Sequence, residues 1–294
     1  MTTIPDGLGV ALVTPFTENL HIDYQGLEKL LNHVSDHMDY LVVLGTTGEA
    51  ATLTLQERLD ILNFVSEHNP KNLPLVFGWG SNNTAQLIRD LDTVRVEQVS
   101  ALLSASPAYN KPSQSGIIKH YVALADASSI PIIVYNVPGR TSSNLTANTT
   151  LELAQHPNII GIKEASGDIL QCMAIAANIP DDFALISGDD LLTPAIMGIG
   201  GKGLISVLAN AFPANFHQMV HLGLKNKHRE AVQVANQFFE LNPLMYKESN
   251  PTGIKEVLSQ LNITHSYVRA PLDQASKHLR EGINRCLKQI NKKG

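Results

Sequence analysis

The sequence predicts an α/β protein, a closed (β/α)8 TIM barrel with a C-terminal helical extension, and three observations carry that expectation. Eight short apolar runs alternate with longer segments of helical periodicity. The runs are apolar enough to be covered on both faces, as parallel strands are. No Gly-x-Gly-x-x-Gly opens the first helix, which argues against an open dinucleotide-binding sheet.

Taken in order, the first run is Leu8–Val13, followed by a helix over Tyr24–His37 with Leu27, Leu30, Leu31 and Val34 on one face. Tyr40–Leu44 is the second run. The helix after it spans Thr54–His68, with Leu55, Leu59, Leu62 and Val65 at the same spacing. Leu75–Phe77, Ala101–Leu103, Ile132–Tyr135, Ile159–Lys163, Ala184–Ile186 and Gly203–Val207 complete the set. Beyond about residue 224 no strand run recurs, and helical segments are expected over Asn226–Leu241, Pro251–Leu261 and Leu272–Ile290. The expected organisation is therefore a catalytic barrel of residues 1–224 and a helical extension of residues 225–294, with the tail from Asn291 frayed.

A chain of 294 residues fits one barrel of about 250 residues plus an extension. A formal net charge of -5 is mild and points to neither a nucleic-acid nor a membrane surface. Cys172 and Cys286 lack the paired spacing of a metal or redox site, and the start Met1-Thr2-Thr3-Ile4-Pro5 has no signal-peptide pattern. The expected setting is the reducing cytoplasm.

The chemistry centres on Ile159-Ile160-Gly161-Ile162-Lys163-Glu164-Ala165-Ser166-Gly167-Asp168. Alternation on a strand puts Gly161, Lys163 and Ala165 on one face and Ile160, Ile162 and Glu164 on the other, leaving room around the lysine. An amine held among apolar groups loses hydration of its charged form, and a free amine attacks carbonyls to form a Schiff base. The bland alternative is a strand-end lysine that reaches solvent.

In a barrel the active mouth is built from loops after the strands. After the second run, Gly45-Thr46-Thr47-Gly48-Glu49 offers hydroxyls and amides suited to a carboxylate, or else an ordinary turn. The fourth run leads to Tyr109 and the fifth ends in Tyr135-Asn136-Val137-Pro138-Gly139-Arg140-Thr141, supplying two phenols and a guanidinium fork. Glycines of Gly198-Ile199-Gly200-Gly201-Lys202-Gly203 precede the eighth strand, at the end opposite the mouth, and read as an entry turn rather than a phosphate site. The eleven histidines form no His-x-His or His-Glu-x-x-His arrangement and Asp189-Asp190 reads as a helix start, so no metal is expected.

Together Gly45-Thr46-Thr47-Gly48-Glu49, Tyr135 to Thr141, Gly161 to Asp168 and Ser187-Gly188-Asp189-Asp190 resemble, in order and spacing, the dihydrodipicolinate synthase family of pyruvate-dependent class I aldolases. The resemblance implies that Lys163 forms a Schiff base with pyruvate and that Thr46 and Thr47 hold the pyruvate carboxylate. It implies a proton relay of Tyr135, Thr47 and Tyr109, the last reaching in from a neighbouring subunit of a homo-oligomer, a dimer of dimers. Arg140 would receive the carboxylate of aspartate semialdehyde, while Gly188 and Ile205 match backbone positions lining the pyruvate pocket. No cofactor is implied. N-acetylneuraminate lyases and 2-keto-3-deoxy sugar acid aldolases share the lysine and the hydroxyl-bearing turn, and Arg140 favours the synthase because a second carboxylate needs such a fork. Two departures stand out. Leu208 replaces a frequent threonine, and the positions of the family's lysine-inhibition pocket hold Leu55, Arg58, Gln86 and Ala108, which implies weak or no inhibition by lysine.

Overall fold

The computed structural model describes residues 4–293, without the side chains of Val96 and of residues 291–293. Residues 1–3 and 294, on which the readings of the two termini partly rest, lie outside the described residues. Eight parallel strands close in sequence order, β1 (Gly7–Ala11), β2 (Tyr40–Val43), β3 (Leu75–Gly78), β4 (Ala101–Ala105), β5 (Ile132–Asn136), β6 (Ile159–Glu164), β7 (Ala184–Ser187) and β8 (Gly203–Ser206). All eight predicted runs are strands. β8 returns to pair with β1, Leu204 opposite Leu8.

The helices around and beyond the barrel are α1 (Tyr24–Val34), α2 (Leu55–Glu67), α3 (Thr84–Arg89), α4 (Gln114–Ala127), α5 (Pro138–Thr141), α6 (Ala147–Leu153), α7 (Ile169–Ala176), α8 (Thr193–Gly198), α9 (Pro213–Leu224), α10 (His228–Ala235), α11 (Thr252–Gln260) and α12 (Lys277–Lys293). α1 buries Leu27, Leu30, Leu31 and Val34, the face its periodicity predicts. α2 starts where a capping box permits, since Thr54 accepts from the Glu57 N–H and Glu57 accepts from the Thr54 N–H.

Strand alternation sorts the apolar residues into two cores. Outward residues such as Leu8, Val10, Leu41, Ile162 and Leu204 pack under the helices. Inward residues, among them Tyr40, Val42, Val76, Ile133 and Ile205, fill the barrel as side-chain layers do in this fold. Tyr40 crosses the interior only because position 9 is glycine, where a Cβ would stand 2.1 Å from the phenol ring.

Several expectations change, the first being the face of α2, which buries Ile61, Leu62 and Val65 and leaves Leu55 exposed. Ile160 does not share the face of Ile162. A register shift between β5 and β6, with Ile132 opposite Ile159 and Ile133 opposite Gly161, makes Ile160 the extra residue of a bulge and sends it to the interior group. The helix expected over 226–241 ends at Ala235 and continues as short 3-10 turns ahead of Pro243. The last helix starts at Lys277 rather than Leu272, because Ser276 caps it by accepting from the Leu279 N–H while its own N–H and hydroxyl donate to Glu248.

Candidate active site

Lys163 and Tyr135 are register partners on β6 and β5, so both side chains enter the barrel at the same height near the carboxyl ends of the strands. The Lys163 amine stands 4.5 Å from the Tyr135 ring centroid, and Lys163 is 5% exposed. Among the described residues it forms no ion pair. Its inward direction is fixed from behind the strand. The neighbouring Glu164 carboxylate, turned outward and buried, accepts from Asn136 Nδ2 at 2.9 Å, Gln171 Nε2 at 3.0 Å and the Ser166 N–H at 2.7 Å. A register slip would strand that carboxylate inside an apolar core.

The β7 end gives the lysine its space. A Cβ at Gly188 would lie 2.6 Å from Ala165 Cβ and 3.1 Å from Lys163 Cε. Two residues on, Asp190 is buried and accepts from Ser206 Oγ, the Val207 N–H and the Leu208 N–H, tying the end of β7 to that of β8. Burial pushes its carboxyl up to about 6, against the pull of those donors. Asp189 accepts from the Leu191 and Leu192 N–H groups and so closes a turn ahead of α8, which starts at Thr193 without a side-chain cap, so neither aspartate is the helix start the sequence suggested.

After β2 the chain turns through a 3-10 helix at Thr46–Gly48 and reaches Glu49 in the left-handed region at φ 55°. Thr47 is buried and its Oγ1 accepts from Asn250 Nδ2 at 3.0 Å. α5, begun by Pro138 as its first residue, carries Arg140 to the rim. A cavity of about 410 Å³ results, lined by Thr46, Thr47, Tyr135, Arg140, Lys163 and Gly188, with Val207, Tyr246 and Asn250 closing it. A second cavity, about 600 Å³, shares Thr46, Tyr135, Arg140 and Asn250 and extends past Arg58, Trp79 and Ala108.

Six of the eight sequence-predicted site residues therefore line one cavity. Two do not. Ile205 lies in the apolar interior, and the β8-end residue that lines the cavity is Val207. Tyr109 is 91% exposed, with φ 71° and its N–H donating to Thr141 O at 3.1 Å, so its ring leaves the site of its own chain. Sequence reasoning missed Tyr246 and the role of Glu164 as a strap. The Glu164 strap is spread over Asn136, Ser166 and Gln171, which no local pattern links. It also passed over the pairing of Glu49 with Lys255, both buried. The glycines before β8 form the entry turn expected, Gly200 adopting φ 103°. The one group of described residues with metal-ligand proximity, Asp39, His217 and His221, lies at the opposite end of the barrel, and its two histidines have the spacing of His-Glu-x-x-His with Gln218 in place of the glutamate.

A converging amine, phenol, hydroxyl and guanidinium at a barrel mouth can do carbonyl chemistry. The profile described as the Dihydrodipicolinate synthetase family matches residues 5–290. The chain is 42% identical to the 4-hydroxy-tetrahydrodipicolinate synthase of Cytophaga hutchinsonii over 287 residues, 97% of each chain. It superposes with TM-score 0.94 and 33% identity on a chloride-inhibited dihydrodipicolinate synthase from Acinetobacter baumannii complexed with pyruvate, covering 98% of this chain and 99% of that one. A monomeric dihydrodipicolinate synthase variant also superposes with TM-score 0.94, at 30% identity over 98% of this chain and 97% of the other. With the profile spanning nearly its whole length, the chain belongs to the Dihydrodipicolinate synthetase family, and it is an enzyme, a lyase of the class I aldolase type.

Proposed function

We propose that this enzyme condenses pyruvate with L-aspartate 4-semialdehyde to give 4-hydroxy-tetrahydrodipicolinate, in the diaminopimelate route to lysine. The observation that supports it most is the Lys163 amine, buried without a carboxylate partner against the Tyr135 ring inside a cavity that also holds Thr47 and Arg140.

In this reading the Lys163 nitrogen attacks C2 of pyruvate, a tetrahedral carbinolamine forms, and loss of water leaves a protonated imine. That imine draws electrons from the adjacent methyl group, which gives up a proton and becomes an enamine. Tyr135 stands against the reacting nitrogen, and the Thr47 hydroxyl, whose lone pair is engaged by Asn250, has its proton free to pass inward. The pyruvate carboxylate is held at the Thr46–Gly48 turn, and Arg140 at the rim meets the carboxylate of the second substrate. The enamine carbon attacks the aldehyde, and the amine of the semialdehyde then attacks C2 and releases Lys163. No cofactor enters these steps.

Tyr109 completes the relay only from a second copy of the chain, so a homo-oligomer, a dimer of dimers in the cytoplasm, is part of the proposal. Its exposure and outward course support that role. The barrel of residues 1–224 carries the chemistry, and the extension of residues 225–294 supplies Asn250 to Thr47. Weak or absent inhibition by lysine belongs to the same reading. The Arg58 guanidinium borders the larger cavity, 5.1 Å from the Trp79 ring, and disfavours a second cation there.

Intact mass after pyruvate and borohydride treatment, with and without Lys163→Ala, tests the imine, and semialdehyde consumption by wild type and Arg140→Ala tests the second substrate. An adduct lost in the first variant and turnover lost in the second support the synthase. An adduct without semialdehyde turnover moves the assignment to a sugar-acid aldolase or lyase, and no adduct overturns the Schiff base.

A further inference from the structure

We propose that Asp39, His217 and His221 bind one divalent transition-metal ion, zinc by the chemistry of the donors, at the end of the barrel opposite Lys163. One donor atom from each residue lies within 4.8 Å of the others, and all three are half-buried. His217 and His221 stand four apart on α9, hence on one face, with ring centroids 4.0 Å apart. Asp39 immediately precedes β2, so its carboxylate belongs to the frame of the barrel rather than to a loose loop.

The donors are held in advance. Asp39 Oδ2 accepts from the Leu8 N–H at 2.7 Å and from His221 Nε2 at 3.0 Å. The carboxylate is seated against Gly7, where a Cβ would stand 2.1 Å from Oδ2. His217 Nδ1 donates to the His37 carbonyl at 2.9 Å, which fixes the ring and leaves Nε2 as its free nitrogen. An imidazole that binds metal through one nitrogen is commonly oriented in this way through the other.

Two imidazoles and a carboxylate suit zinc, whose bonds of about 2.0–2.1 Å place neighbouring donors roughly 3.3 Å apart in a tetrahedral shell. Binding therefore requires the two rings to turn toward Asp39 from their present spacing of up to 4.8 Å. The His221–Asp39 hydrogen bond marks where the ion enters. Its ring proton moves to Nδ1, and the Nε2 lone pair that is exposed turns to the metal. The fourth position is left for water. Placed between α9 and the start of β2, the ion acts as a clamp on the barrel floor, with no part in carbonyl chemistry at the mouth.

Cobalt(II) and zinc titrations of the whole protein test this, using wild type, His217→Ala, His221→Ala, Asp39→Asn and the exposed-histidine control His278→Ala. The Asp39→Asn variant keeps a side-chain acceptor for the Leu8 N–H, and far-UV circular dichroism checks that each variant is folded. The expected result is one cobalt per chain with intense visible bands, displaced by zinc, and binding at least roughly tenfold weaker in the three site variants but not in the control. A rise in thermal midpoint with zinc should follow the same pattern. Absence of saturable binding in wild type, or equal binding by wild type and the site variants, overturns the site.

Discussion

Asn250 Nδ2 donates a hydrogen bond to Thr47 Oγ1 at 3.0 Å, joining two residues 203 positions apart. A threonine hydroxyl has one proton and two lone pairs, so an acceptor bond from outside leaves its proton free for the cavity. The orientation of the Thr47 hydroxyl is thus set by Asn250, from beyond the last barrel strand.

Replacing Asn250 by alanine should leave borohydride trapping with pyruvate intact while lowering turnover roughly tenfold, the scale of one net hydrogen bond. Steady-state kinetics beside adduct mass separate the two. Wild-type turnover in the variant would show that Thr47 does not depend on this contact.

Gly188→Ala places a methyl group 2.6 Å from Ala165 Cβ and 3.1 Å from Lys163 Cε. Overpacking of this kind costs about 1–3 kcal/mol, and here the strain falls on Lys163. Adduct formation should slow at least about tenfold, with a smaller change in thermal midpoint. Single-turnover trapping is the measurement.

Lys255 and Glu49 form an ion pair 2.5 Å long with side chains 0% and 1% exposed, and Lys255 Nζ also donates to Tyr267 O at 2.8 Å. Removing one partner leaves a buried charge alone, so Lys255→Met should cost about 3–5 kcal/mol in urea denaturation. The double variant Glu49→Gln with Lys255→Met should recover part of that loss, and a double variant no better than the single one would deny the coupling.

Glu57 accepts from Arg269, which together with the Thr54 N–H holds its carboxyl down to about 2. A depressed carboxyl pKa stabilises the fold above the unfolded value of about 4.3, and that contribution is lost as pH falls toward the folded value. The stability gap between wild type and Glu57→Gln should therefore be constant above about pH 5 and shrink steadily from about pH 4 toward 2. A gap independent of pH across that window would show that Glu57 acts through shape alone.

Much of the site is legible in the sequence because its residues sit in short continuous motifs. Thr46 and Thr47 follow β2, Tyr135 ends β5, Lys163 ends β6 and Gly188 follows β7, and a parallel barrel delivers every strand end to one mouth. Simple alternation puts Ile160 on the wrong face because a bulge adds one residue to a strand without changing its composition. Glu164 reads only as the residue beside Lys163, since its three partners are scattered through separate elements.

The sequence by itself determined the eight strand-helix units, the strand that carries Lys163 and the family, because periodicity and local motifs survive without any knowledge of contacts. Only the tertiary structure decided which residues from the far end of the chain complete the site. Asn250 on Thr47, Lys255 on Glu49 and Arg269 on Glu57 all bind the extension to residues near the second strand. The physical reason is that a buried hydroxyl or charge is satisfied by whatever group the closed fold brings within hydrogen-bonding distance, and sequence spacing carries no record of that distance.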